Sequence, residues 1–532
     1  MPVLRLSDLH IGTKQQALVK GVSLDVEAGE IFSIVGESGS GKSLTCLSIL
    51  GLLAPNLEVK GSILFSGSGG EPVELIGLTD TRRSEYALKH IAYIFQEPLS
   101  ALNPVQTCGK QLMENIALCG TKGKEQIKEK AKKLLLDVEL TDTEKILKSY
   151  PFQLSGGQRQ RIVIAMALAG EPDLIIADEP TTALDVLLQD EILGLIRDLC
   201  KKQGKSVLFV SHDIDAVYKF SDRIAVMYKG EIVETNTSEQ IIHHPQHVYT
   251  QALLACKPKP EKRGVYLTTL ADAMENQEPL TFVEQAAGSD SIAKLSDVGK
   301  VYTHEHKAFV ALDHVSFNIH KGESIGLIGE SGSGKSTISK LMVQLEKPTQ
   351  GEIIYDFKNK KSMSSNVQMI FQDPFAALNP AIKVGDMLKE VIRHHQAELR
   401  SSDIEQAIET LLLKVGLSAA DKTKYPSNFS GGQRQRLCIA RALAARPSLL
   451  ICDESTSALD LSVQAQILNL LKHLQLTENL SILMITHSMA VAAWFCQYLI
   501  VLKNGEIVEQ GPANQLIQNP QNDYTKAMIA HV

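Results

Sequence analysis

At 532 residues the chain is too long for one hydrophobic core, and its length suggests roughly two to four domains. Its composition is that of an ordinary globular protein, and a net charge of −7 argues against the basic footprint of a nucleic-acid binder. Eight cysteines lie scattered without a CxxC pair, so neither a zinc site nor a disulfide scaffold is indicated, and they read as buried thiols in a reducing compartment.

The first residues lack the apolar core and cleavage pattern of a signal peptide. No apolar run is long enough to span a bilayer, and the best candidate, 481–495, is interrupted by Thr486, His487 and Ser488. If the protein works at a membrane, other chains do the crossing.

Taken in chain order, residues 3–11 and 22–26 carry the alternation of strands. A charged turn follows, then the apolar run 31–35, then Gly36, Glu37, Ser38, Gly39, Ser40, Gly41, Lys42 and Ser43, then a helix-compatible run, 44–53. This is the spacing of a phosphate-binding P-loop. Its glycines let backbone N–H groups curl around an anion, and the helix that follows adds its positive dipole end. Lys42 can reach the β- and γ-phosphates, and the Ser43 hydroxyl can hold Mg²⁺.

Gln96 comes next, after Ile94 and Phe95, and a glutamine there is a plausible metal and water contact. Helical periodicity marks 124–138. Ser155-Gly156-Gly157-Gln158 then opens a helix and offers free N–H groups and a hydroxyl to an anion. An apolar strand, 174–177, ends at Asp178 and Glu179, where one carboxylate can take Mg²⁺ and the next can polarise an attacking water. A further strand ends at Ser211-His212, which suits a sensor of the γ-phosphate.

The whole series then repeats. The second P-loop is Gly329, Glu330, Ser331, Gly332, Ser333, Gly334, Lys335 and Ser336, and Lys42 and Lys335 are 293 residues apart. Gly156/Gly431, Asp178/Asp453, Asp185/Asp460 and His212/His487 each differ by 275. The chain therefore reads as a tandem duplication. The first copy has about eighteen extra residues, nearly all between P-loop and glutamine, in the Gly/Ser/Thr-rich 61–86 region. The second copy supplies Gln372, Ser430, Gly432, Gln433, Asp453, Glu454 and His487. Strands alternating with helices, with the chemistry at strand ends, predict an α/β fold with a largely parallel sheet. The expected division is 1–256, a Pro- and charge-rich linker at 257–290 that is partly ordered at most, and 291–532.

Each copy holds two anion-binding helix starts, although one nucleotide needs only one. The economical explanation is that the second serves a nucleotide bound by the other copy. With these motifs the sequence resembles an ATP-binding cassette (ABC) ATPase with both nucleotide-binding domains in one chain. The resemblance implies tandem P-loop NTPase domains, each with a parallel-sheet core, an antiparallel β subdomain and a helical subdomain. It implies Walker A motifs at 36–43 and 329–336, with Thr337 after the second, and signatures built on Ser155, Gly157 and Gln158 and on Ser430, Gly432 and Gln433. It also implies Mg²⁺ held by Ser43, Gln96, Asp178, Ser336, Gln372 and Asp453, catalytic Glu179 and Glu454, and switch residues His212 and His487. D-loops fall at Ala183-Leu184-Asp185 and Ala458-Leu459-Asp460. The cassettes of this family pair head to tail, so Lys42 would face Ser430 across one ATP and Lys335 would face Ser155 across the other.

The stretches from Gln96 to Pro104 and Gln372 to Pro380, both ending Leu-Asn-Pro, are similar to the peptide/nickel importer subfamily. So are His247-Val248-Tyr249-Thr250 and Asn522-Asp523-Tyr524-Thr525. That subfamily implies two transmembrane permeases, an external substrate-binding protein, attachment to the cytoplasmic face of the membrane through the permeases, and no direct nucleic-acid contact.

Three departures stand out. Tyr302 occupies the place of the adenine-stacking aromatic in the second copy, where the first has Thr13. The usual Asp-Glu-Pro-Thr becomes Asp453-Glu454-Ser455-Thr456. Only Cys256 lies near the place where some relatives bind an iron–sulfur centre, so no cluster is expected. The expected activity is ATP hydrolysis that powers uptake of peptides, with nickel, glutathione or another small solute open as cargo. The rival is a soluble two-lobed ABC ATPase acting on ribosomes or nucleic acid, which calls for a long charged interlobe arm that 257–290 is too short and too broken to form.

Overall fold

The computed structural model describes residues 2–67, 71–96, 101–181, 186–275, 277–284, 286, 288–304, 307–357, 362–396, 398–456 and 459–530. The chain divides into two compact units, Met1–Leu254 and Ala255–Val532.

In the first unit the strands Pro2–Gly12 and Ala17–Glu27 pair antiparallel, and Glu58–Phe65 and Val73–Glu74 extend them into one sheet. A second sheet runs in the order Glu231–Thr237, Arg223–Tyr228, Ile31–Val35, Ser206–Ser211, Leu174–Asp178, Ile91–Ile94. Its pairings are parallel except at the Glu231–Thr237 edge. Ile31–Val35, Leu174–Asp178 and Ser206–Ser211 are buried along their whole length, as central parallel strands covered on both faces must be. Leu4, Leu6 and Val26 of the first sheet share one core with Phe32, Ile34 and Ile176 of the second. Beside this core the helices Cys108–Leu118, Lys124–Asp137 and Gly156–Leu168 pack on one another.

The second unit repeats the plan. Lys307–His320, Ser291–His304 and Gln350–Tyr355 form the antiparallel sheet. The other sheet runs Val367–Ile370, Leu449–Asp453, Ser481–Thr486, Ser324–Ile328, Tyr498–Lys503, Glu506–Pro512. The extra residues of the first copy build Val73–Glu74 and the helix Asp80–Lys89, where the second copy has only the short helix Met363–Asn366. In both units the P-loop, the acidic pair and the histidine leave the C-terminal ends of neighbouring parallel strands, which gathers them in one crevice.

Described residues of the stretch 257–290 are anchored on the second unit. Arg263 grips the Glu284 carboxylate through Nε (3.2 Å) and Nη2 (2.8 Å). The same carboxylate lies 3.8 Å from the buried Lys472 ammonium, which donates to the Phe495 carbonyl (2.6 Å) and Gln475 Oε1 (3.0 Å). The Asn469 amide accepts from Leu267 N–H (2.8 Å) and donates back to its carbonyl (2.7 Å), and Trp494 Nε1–H donates to the Val265 carbonyl (3.0 Å). Anchors this widely spaced leave no periodic signal, so composition dominates the sequence and reads as a linker.

All eight cysteines are free thiols, and all but Cys119 are buried. No helix among the described residues is long and apolar enough to cross a membrane.

Burial pushes the Lys472 ammonium down to about 8 from the usual 10.5. Below pH 8 the lysine is charged both folded and unfolded, and its burial costs stability. Between about 8 and 10.5 the unfolded chain binds more protons, so this cost is relieved as pH rises. Denaturant midpoints of the second unit should therefore rise across that window in the wild type, and Lys472→Met should flatten the rise.

Candidate functional site

The strand Ile31–Val35 delivers the first P-loop and the helix Lys42–Leu50 receives it. Gly39 (φ 76°) and Gly41 (φ 107°) take left-handed backbone that a side chain would strain. A Cβ at Gly36 would collide with the Met227 carbonyl of the next strand. The loop's curl buries Lys42, whose Nζ donates to the carbonyls of Gly36 (2.7 Å) and Glu37 (2.9 Å). The second unit is built alike: Gly332 (φ 82°) and Gly334 (φ 108°) shape the loop, and Lys335 Nζ donates to Gly329 and Glu330, both at 2.7 Å. The hydroxyls of Ser40 and Ser333, inside the two loops, are buried without a hydrogen-bond partner.

Asp178 and Glu179 end the strand Leu174–Asp178, which Ser206–Ser211 separates from the P-loop strand. Ser43 Oγ donates to Asp178 Oδ1 (3.1 Å) and the Tyr93 hydroxyl donates to Oδ2 (2.8 Å). Burial raises the Asp178 carboxyl above the ordinary range, while the Tyr93 and Ser43 donors and the Lys42 charge pull it back. In the second unit Ser339 Oγ donates to Asp453 Oδ2 (3.1 Å). Asp453 Oδ1 is buried and lacks a partner, and burial raises this carboxyl too. An unpaired buried carboxylate oxygen beside Ser336 and Lys335 suits a hard cation, whose preferred donors are oxygens.

Glu179 (φ 47°) and Glu454 (φ 46°) both sit in left-handed backbone, a strained setting for a side chain of this kind. Their amides donate across to Val210 (2.8 Å) and Ile485 (3.0 Å), which helps hold the strained turn. Glu179 Oε2 accepts from Gln96 Nε2 (2.8 Å) and lies 3.1 Å from His212 Nδ1. Glu454 Oε2 accepts from Gln372 Nε2 (2.9 Å), and its Oε1 is 3.8 Å from Lys335 Nζ. The structure thus brings Lys42, Ser43, Gln96, Asp178, Glu179 and His212 to one crevice. Lys335, Ser336, Gln372, Asp453 and Glu454 meet likewise in the other unit, where His487 directly follows the strand Ser481–Thr486.

Ser155 and Ser430 cap the helices Gly156–Leu168 and Gly431–Leu443. The Ser155 hydroxyl accepts from Gln158 N–H (3.3 Å) while Gln158 Oε1 accepts from Ser155 N–H (3.1 Å), and Ser430 with Gln433 repeats this capping box. The Gln158 and Gln433 side chains thus close the capping boxes of their own helices. Gly157 and Gly432 have a packing reason to be glycine as well, because a Cβ there would strike Leu188 and Val463 of the next helix.

Tyr302 stands in the strand Ser291–His304 with its hydroxyl on Glu346 Oε2 (2.6 Å), and Lys300 Nζ lies 5.0 Å from its ring centre. Thr13 instead closes a hairpin turn by accepting from Gln15 and Gln16 N–H. Ala183, Leu184, Asp185 and Ala458 lie outside the described residues, as do Glu97, Pro98, Leu99 and Ser100, while Asp460 stands at the N-cap position of the helix Leu461–Glu478.

A match to the ABC transporter family model covers residues 19–182 and 312–457, more than half of the chain. The chain belongs to the ABC transporter family. As a member of it, the protein binds and hydrolyses ATP. A second model, the oligopeptide/dipeptide transporter C-terminal region, matches 233–281. The chain is 40% identical to the peptidoglycan transport ATP-binding protein YejF of Agrobacterium fabrum, over 99% of its own length and 96% of that protein. It is also 40% identical to the glutathione import ATP-binding protein GsiA of Shigella dysenteriae, over 100% of its length and 89% of the other. An archaeal ribosome recycling factor shares the two-cassette fold at 21% identity, with a TM-score of 0.56 over 92% of this chain and 86% of that one.

Within this ABC protein, sequence reasoning missed Tyr93. Its signal was a lone phenol on the buried strand beside the acidic strand, where the second cassette has Met369. Tyr93→Phe keeps the ring but leaves a carboxylate oxygen of the buried Asp178 without its donor. It should destabilise the nucleotide-free first cassette by about 1–3 kcal/mol, read as a lower denaturant midpoint, and leave the second unchanged.

Proposed function

We propose that the chain is the ATP-hydrolysing subunit of an importer of peptides or related small solutes, working through two composite nucleotide sites. The supporting observation is that both units carry the full set: a P-loop with a buried lysine, an acidic pair with a strained glutamate, and a capped Ser-Gly-Gly helix start. A P-loop satisfies the phosphates of one nucleotide, and a second helix start is then available to the γ-phosphate of another. On this reading Lys42 and Ser430 serve one ATP, and Lys335 and Ser155 serve the other.

Glu179 and Glu454 orient or deprotonate the attacking water, and His212 and His487 hold the γ-phosphate side of each crevice. The Gln96 and Gln372 amides lie on those glutamates, so turning the glutamines away frees the carboxylates for water. Ser43 with Asp178, and Ser336 with Asp453, would hold Mg²⁺, together with Gln96 and Gln372. The ion supplies positive charge to the β- and γ-phosphate oxygens. Tyr302 offers the second site an aromatic face for adenine, which Thr13 does not offer the first. ATP binding draws the two cassettes together, and hydrolysis releases them.

In this proposal two transmembrane permeases and an external binding protein complete the importer, and the chain docks on the cytoplasmic face through the permeases, without nucleic acid. The importer C-terminal region and relatives named for peptidoglycan transport and glutathione import support a peptide-like cargo, since glutathione is itself a tripeptide. A ribosome-directed role is less favoured, because 257–290 forms short elements held on the second unit, with no long arm among its described residues.

Glu179→Gln combined with Glu454→Gln should still bind ATP but lose turnover by about 100-fold or more. Steady-state phosphate release from the purified full chain checks this, and near-normal turnover would contradict the assignment.

A further inference from the structure

The short helix that closes each cassette reaches the P-loop through a tyrosine hydroxyl. Tyr249, in Val248–Ala255, is fully buried, and its hydroxyl accepts from Glu37 N–H at 3.3 Å. Tyr524, in Asp523–Ile529, accepts from Glu330 N–H at 3.0 Å. The amide engaged in each case belongs to the same peptide unit whose carbonyl, Gly36 or Gly329, receives the P-loop lysine at 2.7 Å. One peptide plane is therefore held from both edges, by an ammonium on its oxygen and a phenol on its nitrogen.

The phenols are themselves held in place. Glu234 accepts from Gln246 and His247 N–H (2.8 and 3.0 Å), and Glu509 accepts from Gln521 and Asn522 N–H (2.8 and 3.1 Å), which fixes the turn before each helix. The ring of Tyr249 stacks on Tyr228 with centroids 4.1 Å apart, and Lys503 Nζ, at the repeat position of Tyr228, sits 4.5 Å from the Tyr524 ring centre. Different residues cover the two rings, yet the hydroxyl-to-amide bond is kept in both cassettes.

We propose that Tyr249 and Tyr524 are positioning residues for nucleotide binding: each fixes the first peptide of its P-loop, so that the loop stays open as an anion-binding ring when the lysine turns from its own carbonyl to a phosphate. Neither side chain needs to touch the nucleotide. The hydroxyl acts through the loop, because losing it frees a peptide plane that can then rotate and disturb the ring of N–H groups. Removing one neutral hydrogen bond of this kind corresponds to roughly a 2- to 10-fold loss of affinity.

Tyr249→Phe with Tyr524→Phe keeps both rings and deletes both hydroxyls. Calorimetric binding of ADP with Mg²⁺ to the nucleotide-free full chain is the primary test, since ADP lacks the γ-phosphate that a facing signature would hold. The outcome therefore does not depend on the composite-site reading. The double variant should bind ADP about 2- to 10-fold more weakly, raise KM for ATP by a similar factor and keep kcat within about two-fold. Amide hydrogen exchange in the P-loop peptides should be faster than in the wild type. Unchanged ADP affinity and unchanged P-loop exchange would overturn the proposal, as would a fall in kcat with KM unaltered.

Discussion

Each cassette depends on a buried ammonium held by the carbonyls of its own P-loop. Lys42 and Lys335 are 5% and 4% exposed, and a charge so far removed from water must be matched by hydrogen-bond partners. The loops supply them as inward-turned carbonyls, two for each lysine. That geometry requires glycines at positive φ and a close approach of Gly36 and Gly329 to the next strand. A phosphate entering the loop can take over the ammonium, so the loop is arranged to exchange one acceptor for a stronger one. The parallel strands Leu174–Asp178 and Leu449–Asp453, each one strand removed from its P-loop strand, set where the carboxylates stand in relation to that lysine.

The two cassettes share this plan but differ around it. Asp178 has donors on both oxygens, whereas Asp453 keeps one oxygen unpaired. Glu179 lies 3.1 Å from His212, and Glu454 lies 3.8 Å from Lys335. Tyr302 has an aromatic ring and a fixed hydroxyl where Thr13 only closes a turn. What they keep in common is the strained glutamate, with nearly equal φ in the two units. A backbone strain retained twice in one chain is consistent with a side chain that must be aimed rather than merely present.

Much of this was legible in the sequence. The P-loops announce themselves by glycine spacing, and the acidic strand ends by an apolar run stopped by carboxylates, because both features are local. The repeat offset of 275 located the second copy's signature glycine, acidic pair and histidine. What stayed hidden depends on contacts between distant segments. Tyr93 looks like a core aromatic until its strand is paired with Leu174–Asp178. The capping boxes that Gln158 and Gln433 close with Ser155 and Ser430 show only in the folded geometry. The anchoring of 257–290 was missed because Lys472 and Trp494, its partners, lie some two hundred residues downstream.

The central claim is that each P-loop is half a site. A structure of the full chain carrying Glu179→Gln and Glu454→Gln, determined with ATP and Mg²⁺ bound, tests it most directly. The account predicts two ATP molecules, one with its γ-phosphate between Lys42 and Ser430 and the other between Lys335 and Ser155. Nucleotides bound at the P-loops while Ser155 and Ser430 remain in solvent would contradict it.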